Sequence, residues 1–386
     1  MTARILICDL IGLKFGVDGK PNPAEVRSYI ENKGGFFHDG RINPATNYEP
    51  GRLHFFYLPS LSTADEILAH TSQGQYDAVI AAATIIPAAS VFNLGGVRIG
   101  AGTGNMGSAS WGGGSGVGGT APLMNTPGFN SRATAQMAFK ALLRVRPDLP
   151  IAHLHQRCVN GDFDTGKNLV EYPTEKLEGK TIAIIGYGNI GRELAKLAKA
   201  FGMVVKVFAR PHHQTRIESD GFRFAATPQD AADHADVLSV HTGLGPLLAS
   251  GQYANTGIIN GAVFAALNHK AVLLNYDRGE CVDSAALDAA MAEGCVQHAA
   301  IDADIFKSED GTVSGPLVAY LPLAKKYPGR IELLPHAAAD TDHPSRVAGA
   351  KQAVDQIFAS ILHKRVVNLK GDLPAGYVNG GVMLGV

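Results

Sequence analysis

Short apolar runs alternate with longer amphipathic stretches along the first third of the chain, which is the rhythm of an α/β fold. Residues 4–9 (RILICD) are apolar and β-prone, and residues 53–58, 77–82 and 97–99 repeat the type. Asn22 and Pro23 read as a cap and a first helical residue, opening a helix toward Asn32 that Gly34 and Gly35 stop. Thr63 and Glu66 have the spacing of a capping box for a helix toward His70. Helices set between short apolar strands predict a parallel sheet covered on both faces.

Residues 100–119 break this pattern, since ten of the twenty are glycine. The segment is either a flexible surface connection or, at its start, backbone that closes on a small ligand, because ligands gather at strand C-termini in open α/β sheets. Asn125-Thr126-Pro127-Gly128 reads as a turn, and a helix follows with Ser131 as cap, running to about Val145 before Pro147. After a polar stretch at 158–176 a new unit begins with the strand 181–185 (TIAII). Strands at 203–208, 236–240, 271–274, 299–301 and 331–334 follow, with a helix between Asp283 and Gly294. The last long helix opens at Pro344 and ends near His363.

Gly186-Tyr187-Gly188-Asn189-Ile190-Gly191 stands directly after the strand 181–185 and at the mouth of a helix. That is the setting in which a G-x-G-x-x-G run binds a dinucleotide. Gly186 permits the tight turn, Gly188 lets backbone approach a pyrophosphate, and Gly191 lets helix and strand pack closely. Asn189 and Ile190 open a helix whose free N–H groups and dipole favour phosphate. NAD-binding units usually place an acid at the end of the next strand, for the ribose 2′-OH. Here that strand ends Ala209-Arg210-Pro211-His212-His213. Arg210 suits a 2′-phosphate, so NADP is favoured and NAD is the alternative.

Composition narrows the class. With 34 basic and 35 acidic residues the net charge is −1, so no field exists to hold nucleic acid or an anionic membrane. A mean hydropathy of +0.04 excludes a disordered chain. Cys8, Cys158, Cys281 and Cys295 are far apart and form no Cys-x-x-Cys pair. They indicate neither zinc nor a redox motif, and no metal is expected. Reduced thiols, no leader sequence and no apolar stretch long enough to span a bilayer read as a cytoplasmic protein.

Three later segments carry candidate chemistry, all at predicted strand ends: residues 275–283 (NYDRGECVD), residues 300–309 (AIDADIFKSE) and Leu334-Pro335-His336. In this order, behind the dinucleotide fingerprint, the sequence resembles the D-isomer-specific 2-hydroxyacid dehydrogenase family. The resemblance extends from about 97 to 368 and is strongest at 125–138, 177–203 and 275–287. It implies two Rossmann-like domains: a flavodoxin-like substrate domain, 1–128 with 345–386, and an inserted dinucleotide-binding domain with a parallel sheet, 129–344. It further implies reversible, D-specific hydride transfer between a nicotinamide and a small 2-oxo or 2-hydroxy acid, and a homodimer. By the family's motifs Arg278 anchors the substrate carboxylate, His336 moves the proton and Glu309 tunes it. Tyr276 and Asp302 join the cofactor-binding residues, and the N–H groups of Thr103 and Gly104 hold the substrate carboxylate. Counted from Arg278 the family's strand-end aspartate is Asp302; counted from Phe306 it is Asp304, and Asp302 is preferred for the nicotinamide carboxamide.

These assignments make physical sense. A 2-oxo acid needs a cation for its carboxylate, and arginine binds it as a fixed fork. Hydride delivery places negative charge on the carbonyl oxygen, so a proton donor must stand beside it, and histidine titrates in the right range. A carboxylate against the imidazole keeps it protonated. The sequence also departs from the family. Glycine-rich sequence with Trp111, as lid or packing, replaces an acidic turn and helix; Ala81-Ala82-Ala83 stands where a polar group is usual; Asp277 precedes Arg278 where a small residue is common. These departures count against a phosphorylated substrate. They also motivate a second reading, a dinucleotide-sensing, corepressor-like binding protein on the same scaffold.

Overall fold

The computed structural model describes residues 2–8, 21–61, 63–82, 84–112, 118–145, 149–246, 248–307, 311–336, 338 and 342–384. The chain forms two compact units, Met1–Asn130 with Asp340–Val386, and Ser131–Ala339.

The first unit is built on β1 (Ala3–Ile7), β2 (Phe36–Asp39), β3 (Leu53–Tyr57), β4 (Ala78–Ala81), β5 (Gly95–Arg98) and β6 (Leu123–Asn125). They lie in the order β6-β5-β4-β1-β3-β2, all parallel, with the strand Leu369–Lys370 antiparallel on β6. Setting the edge strand β2 aside, this is the flavodoxin-like order. Alternate side chains enter different cores. Ile5 and Ile7 pack toward the helices Ala24–Asn32 and His343–His363, whereas Leu6 and Cys8 pack with Phe92 and Trp111. The predicted capping box is present at Thr63 and Glu66. At the first helix the cap position falls on Pro23, and Asn22 instead accepts the Ala24 N–H from one residue earlier. Asn125 closes β6 rather than opening a turn, and Ser131 is already helical, in the helix Ser131–Val145.

The second unit contains β7 (Thr181–Ile185), β8 (Val204–Phe208), β9 (Arg223–Ala225), β10 (Val237–Val240), β11 (Ala271–Asn275), β12 (Val296–Asp302) and β13 (Ile331–Leu334). Their order, β13-β12-β11-β10-β7-β8-β9, is wholly parallel and is that of a dinucleotide-binding sheet extended by one strand. The central strands β10 and β11 are buried throughout, which fits their mainly apolar sequence, with Ser239 and Asn275 as buried polar residues. Ile182 and Ile184 face one core, Ala183 and Ile185 the other. Both units are therefore Rossmann-like α/β structures. No described helix is long and apolar enough to cross a membrane.

Candidate active site

The fingerprint occupies the switch between β7 and the helix Asn189–Ala200. Gly186 has φ +108°, and a β-carbon there would lie 2.2 Å from the carbonyl oxygen of His241. A β-carbon on Gly191 would lie 2.1 Å from the carbonyl oxygen of Gly186. Packing thus requires both glycines. Gly188 differs: nothing lies within 4 Å of where its β-carbon would be, and it caps the helix without a side chain. The first helical bond is Arg192 N–H to Gly188 C=O at 3.0 Å, so the N–H groups of Asn189, Ile190 and Gly191 precede the ladder. An open glycine beneath a bare helix N-terminus is a cradle for a pyrophosphate, and these residues fit a dinucleotide.

Arg210 follows β8 and is exposed. Burial chiefly lowers the pKa of His213, and the charges of His212, Arg210 and Arg192 lower it further. Several cations therefore act on the turn that follows β8. The local sequence signalled Arg210; Arg192, inside the helix, carried no such signal.

The other candidate groups stand at the ends of β11, β12 and β13. Asn275 braces the turn after β11, accepting from the Asp277 N–H at 3.3 Å and donating to the Arg278 carbonyl at 3.1 Å. The Arg278 guanidinium meets Asp304 at 3.3 Å and keeps 42% of its side chain exposed. Asp302 is 2% exposed and accepts the Ala338 N–H at 3.4 Å. The two aspartates thus have different surroundings: Asp304 faces Arg278, while Asp302 ties the end of β12 to the chain just beyond His336. Tyr276 is 2% exposed and belongs to the core that also holds Ala138 and Ala338. Burial pushes its phenol above the ordinary value.

His336 adopts φ +54°, the left-handed region, directly after β13. Its Nδ1 is buried and has no hydrogen-bond partner among the described residues. Glu309, the expected partner, lies outside the described residues. Burial raises the pKa of Asp277, and the N–H groups of Gly243 and Arg278 and the charge of Arg278 work against it. Burial also pushes the Cys281 thiol up to about 12, which makes it inert as a nucleophile. No group of three or more metal-ligating side chains occurs among the described residues.

In the first unit, the N–H groups of Thr103 and Gly104 donate to no other group among the described residues, and a β-carbon on Gly104 would meet nothing within 4 Å. Trp111 is packing: it is 1% exposed, stacks on Phe92 at 5.7 Å and donates to the Met106 carbonyl.

Residues 149–338 match the model of the D-isomer specific 2-hydroxyacid dehydrogenase, NAD binding domain. The chain belongs to the D-isomer specific 2-hydroxyacid dehydrogenase family. Within that family it is 31% identical to D-3-phosphoglycerate dehydrogenase of Bacillus subtilis over 204 residues, which are 52% of this chain and 36% of that protein. It therefore spans little more than a third of that relative. It is 28% identical to glyoxylate reductase of Aeropyrum pernix over 246 residues, 64% of this chain and 68% of that one. Among solved structures, NADPH-dependent glyoxylate/hydroxypyruvate reductase from Sinorhizobium meliloti superposes with a TM-score of 0.61 at 21% identity, covering 98% of this chain and all of that one. At that identity the likeness is one of fold.

Proposed function

We propose that this protein is an NADP(H)-preferring, D-specific 2-oxo acid reductase, with NAD(H) as the alternative cofactor. The observation that carries the reading is that Arg278 and His336 follow β11 and β13, the two parallel strands that flank β12, in a sheet that also presents an open Gly188 cradle. A bound nicotinamide dinucleotide supplies or accepts the hydride. Arg278 exchanges Asp304 for the substrate carboxylate, a better-matched bidentate partner. The N–H groups of Thr103 and Gly104 donate to the substrate carboxylate. His336 gives its proton to the carbonyl oxygen as charge develops there, a contribution on the order of 10²–10⁴ in rate. Glu309 tunes the imidazole, the role that the family's motif gives it. Asp302 and Tyr276 would hold the nicotinamide end of the cofactor, and Arg210 would take the 2′-phosphate.

The same protein is proposed to be a homodimer. No described residue from 149 to 176 is buried, although the stretch contains the helices Ile151–Val159 and Thr165–Asn168. Ile151 and Val170 are 70% and 85% exposed. Ordered helices with no core of their own, carrying apolar residues outward, need a covering surface.

One experiment tests the reading. NADPH and NADH oxidation is followed against glyoxylate, hydroxypyruvate and a bulky aromatic 2-oxo acid, using protein whose mass is checked by sedimentation. A dimer that prefers NADPH is expected, with His336→Ala losing at least about 100-fold in kcat while dinucleotide affinity survives. Near-wild-type turnover in that variant, or no turnover of any 2-oxo acid by the wild type, overturns the reading.

A further inference from the structure

Asp277 is a carboxylate that the proposed chemistry does not use, yet it is tightly held. Its Oδ2 accepts the Gly243 N–H at 2.8 Å, and its Oδ1 accepts the Arg278 N–H at 2.8 Å. Gly243 belongs to the loop that leaves β10. The Gly243 carbonyl is also engaged, by Asn255 Nδ2 at 2.8 Å and the Cys281 thiol at 3.6 Å. On the other side, Asn275 takes the Arg278 carbonyl. Both main-chain polar groups of Arg278 and both of Gly243 are thus committed, and Asp277 is the side chain that accepts from both N–H groups among the described residues.

We propose that Asp277 is a positioning residue for Arg278: its carboxylate bridges the Gly243 loop and the Arg278 main chain and so sets the direction in which the guanidinium leaves the turn. Rigid support matters here because the guanidinium itself has only one ionic partner among the described residues, Asp304, and is partly exposed. A planar fork reaches its full value only when aimed within narrow limits, so the aim is set where the side chain begins. A serine at this position would offer one acceptor oxygen and an alanine none. The loop also passes Gly186, whose β-carbon would lie 2.9 Å from the Thr242 α-carbon, so the bridge joins the Arg278 turn to the wall of the fingerprint.

The proposal rests on the 2-oxo acid reading for its kinetic consequence but not for its structural one, and the test separates them. In Asp277→Ala, hydrogen exchange at the Gly243 and Arg278 amides is expected to accelerate at least about tenfold over wild type. The KM for the best 2-oxo acid should rise about tenfold, kcat should fall less than about threefold, and dinucleotide affinity should hold within about twofold. Asp277→Asn keeps one acceptor oxygen but turns an amide N–H₂ toward a backbone donor, so its KM should lie between the two. Unchanged KM with lowered thermal stability overturns the proposal, as does a loss confined to kcat, which would mean action on His336. If the wild type turns over no 2-oxo acid, the reductase reading fails and the exchange rates decide alone: unchanged protection of the two amides overturns the bridge.

Discussion

A methyl group built on Gly186 or Gly191 of the second unit runs into backbone oxygens at 2.2 and 2.1 Å, whereas one built on Gly102 or Gly104 of the first unit meets nothing within 4 Å. Both sets of glycines follow an apolar strand in a parallel sheet, and in sequence they look alike. The difference is what the missing side chain makes room for. At Gly186 and Gly191 it is the protein's own backbone. At Gly102, Gly104 and, within the fingerprint, Gly188, it is open space at a strand end, where backbone N–H groups are presented outward. Glycine content alone therefore says little about binding; the direction of the absent β-carbon says more.

Substitution at Gly186 should break the comparison most visibly. Gly186→Ala adds a β-carbon in contact with the His241 carbonyl at a φ of +108°, a region that only glycine occupies without strain. Strain and overpacking together should cost about 3 kcal/mol or more, read as a fall in the urea midpoint. A variant as stable as wild type would mean that the strand-to-helix turn can shift, and that its tightness is not imposed by packing.

The wall that Gly186 faces has its own acid signature. Burial depresses the His241 imidazole to about 3, and its Nε2 lies 2.8 Å from the Ser239 hydroxyl. The unfolded chain binds this proton near the ordinary histidine value and the folded chain only near 3, so the unfolded state takes up more protons in between. Stability should accordingly fall as pH drops below about 6.5, by as much as about 2 kcal/mol at pH 5. Denaturation of His241→Gln across that range should lack this component, and an identical pH slope in the two proteins would assign the acid sensitivity elsewhere.

Much of the architecture could be read in advance from short apolar runs: the bounds 181–185 and 331–334 match the strands, the first a buried central strand and the second an edge strand that keeps its apolar character around Glu332. The edge strand β2 escaped, since Phe36–Asp39 has no buried residue and includes His38 and Asp39. The strand β6 escaped because three residues ending in a buried asparagine resemble a turn. At the site, motif order singled out Arg278 and His336, and Asp277 was conspicuous as an acid beside a cation. What it touches was not readable, because Gly243 is 34 residues away and the contact depends on strand order. The choice between Asp302 and Asp304 resisted counting for a similar reason: two carboxylates two residues apart at a strand end differ in burial and partner, which spacing does not encode.

The smallest expected effects distinguish the open glycines from one another. Gly188→Ala and Gly104→Ala each add a methyl group into empty space with no unfavourable φ, so neither should cost more than about 1 kcal/mol of stability. Their functional consequences should diverge. A methyl at Gly188 stands where a pyrophosphate must approach the backbone, so dinucleotide affinity should weaken about tenfold while the KM for the 2-oxo acid, measured at saturating cofactor, stays near wild type. A methyl at Gly104 crowds only the N–H groups of the first unit, so that KM should rise a few-fold with dinucleotide affinity unchanged. Isothermal titration with NADPH and steady-state kinetics on the two variants read both quantities. The same defect in both variants would remove the separate role given to Thr103 and Gly104.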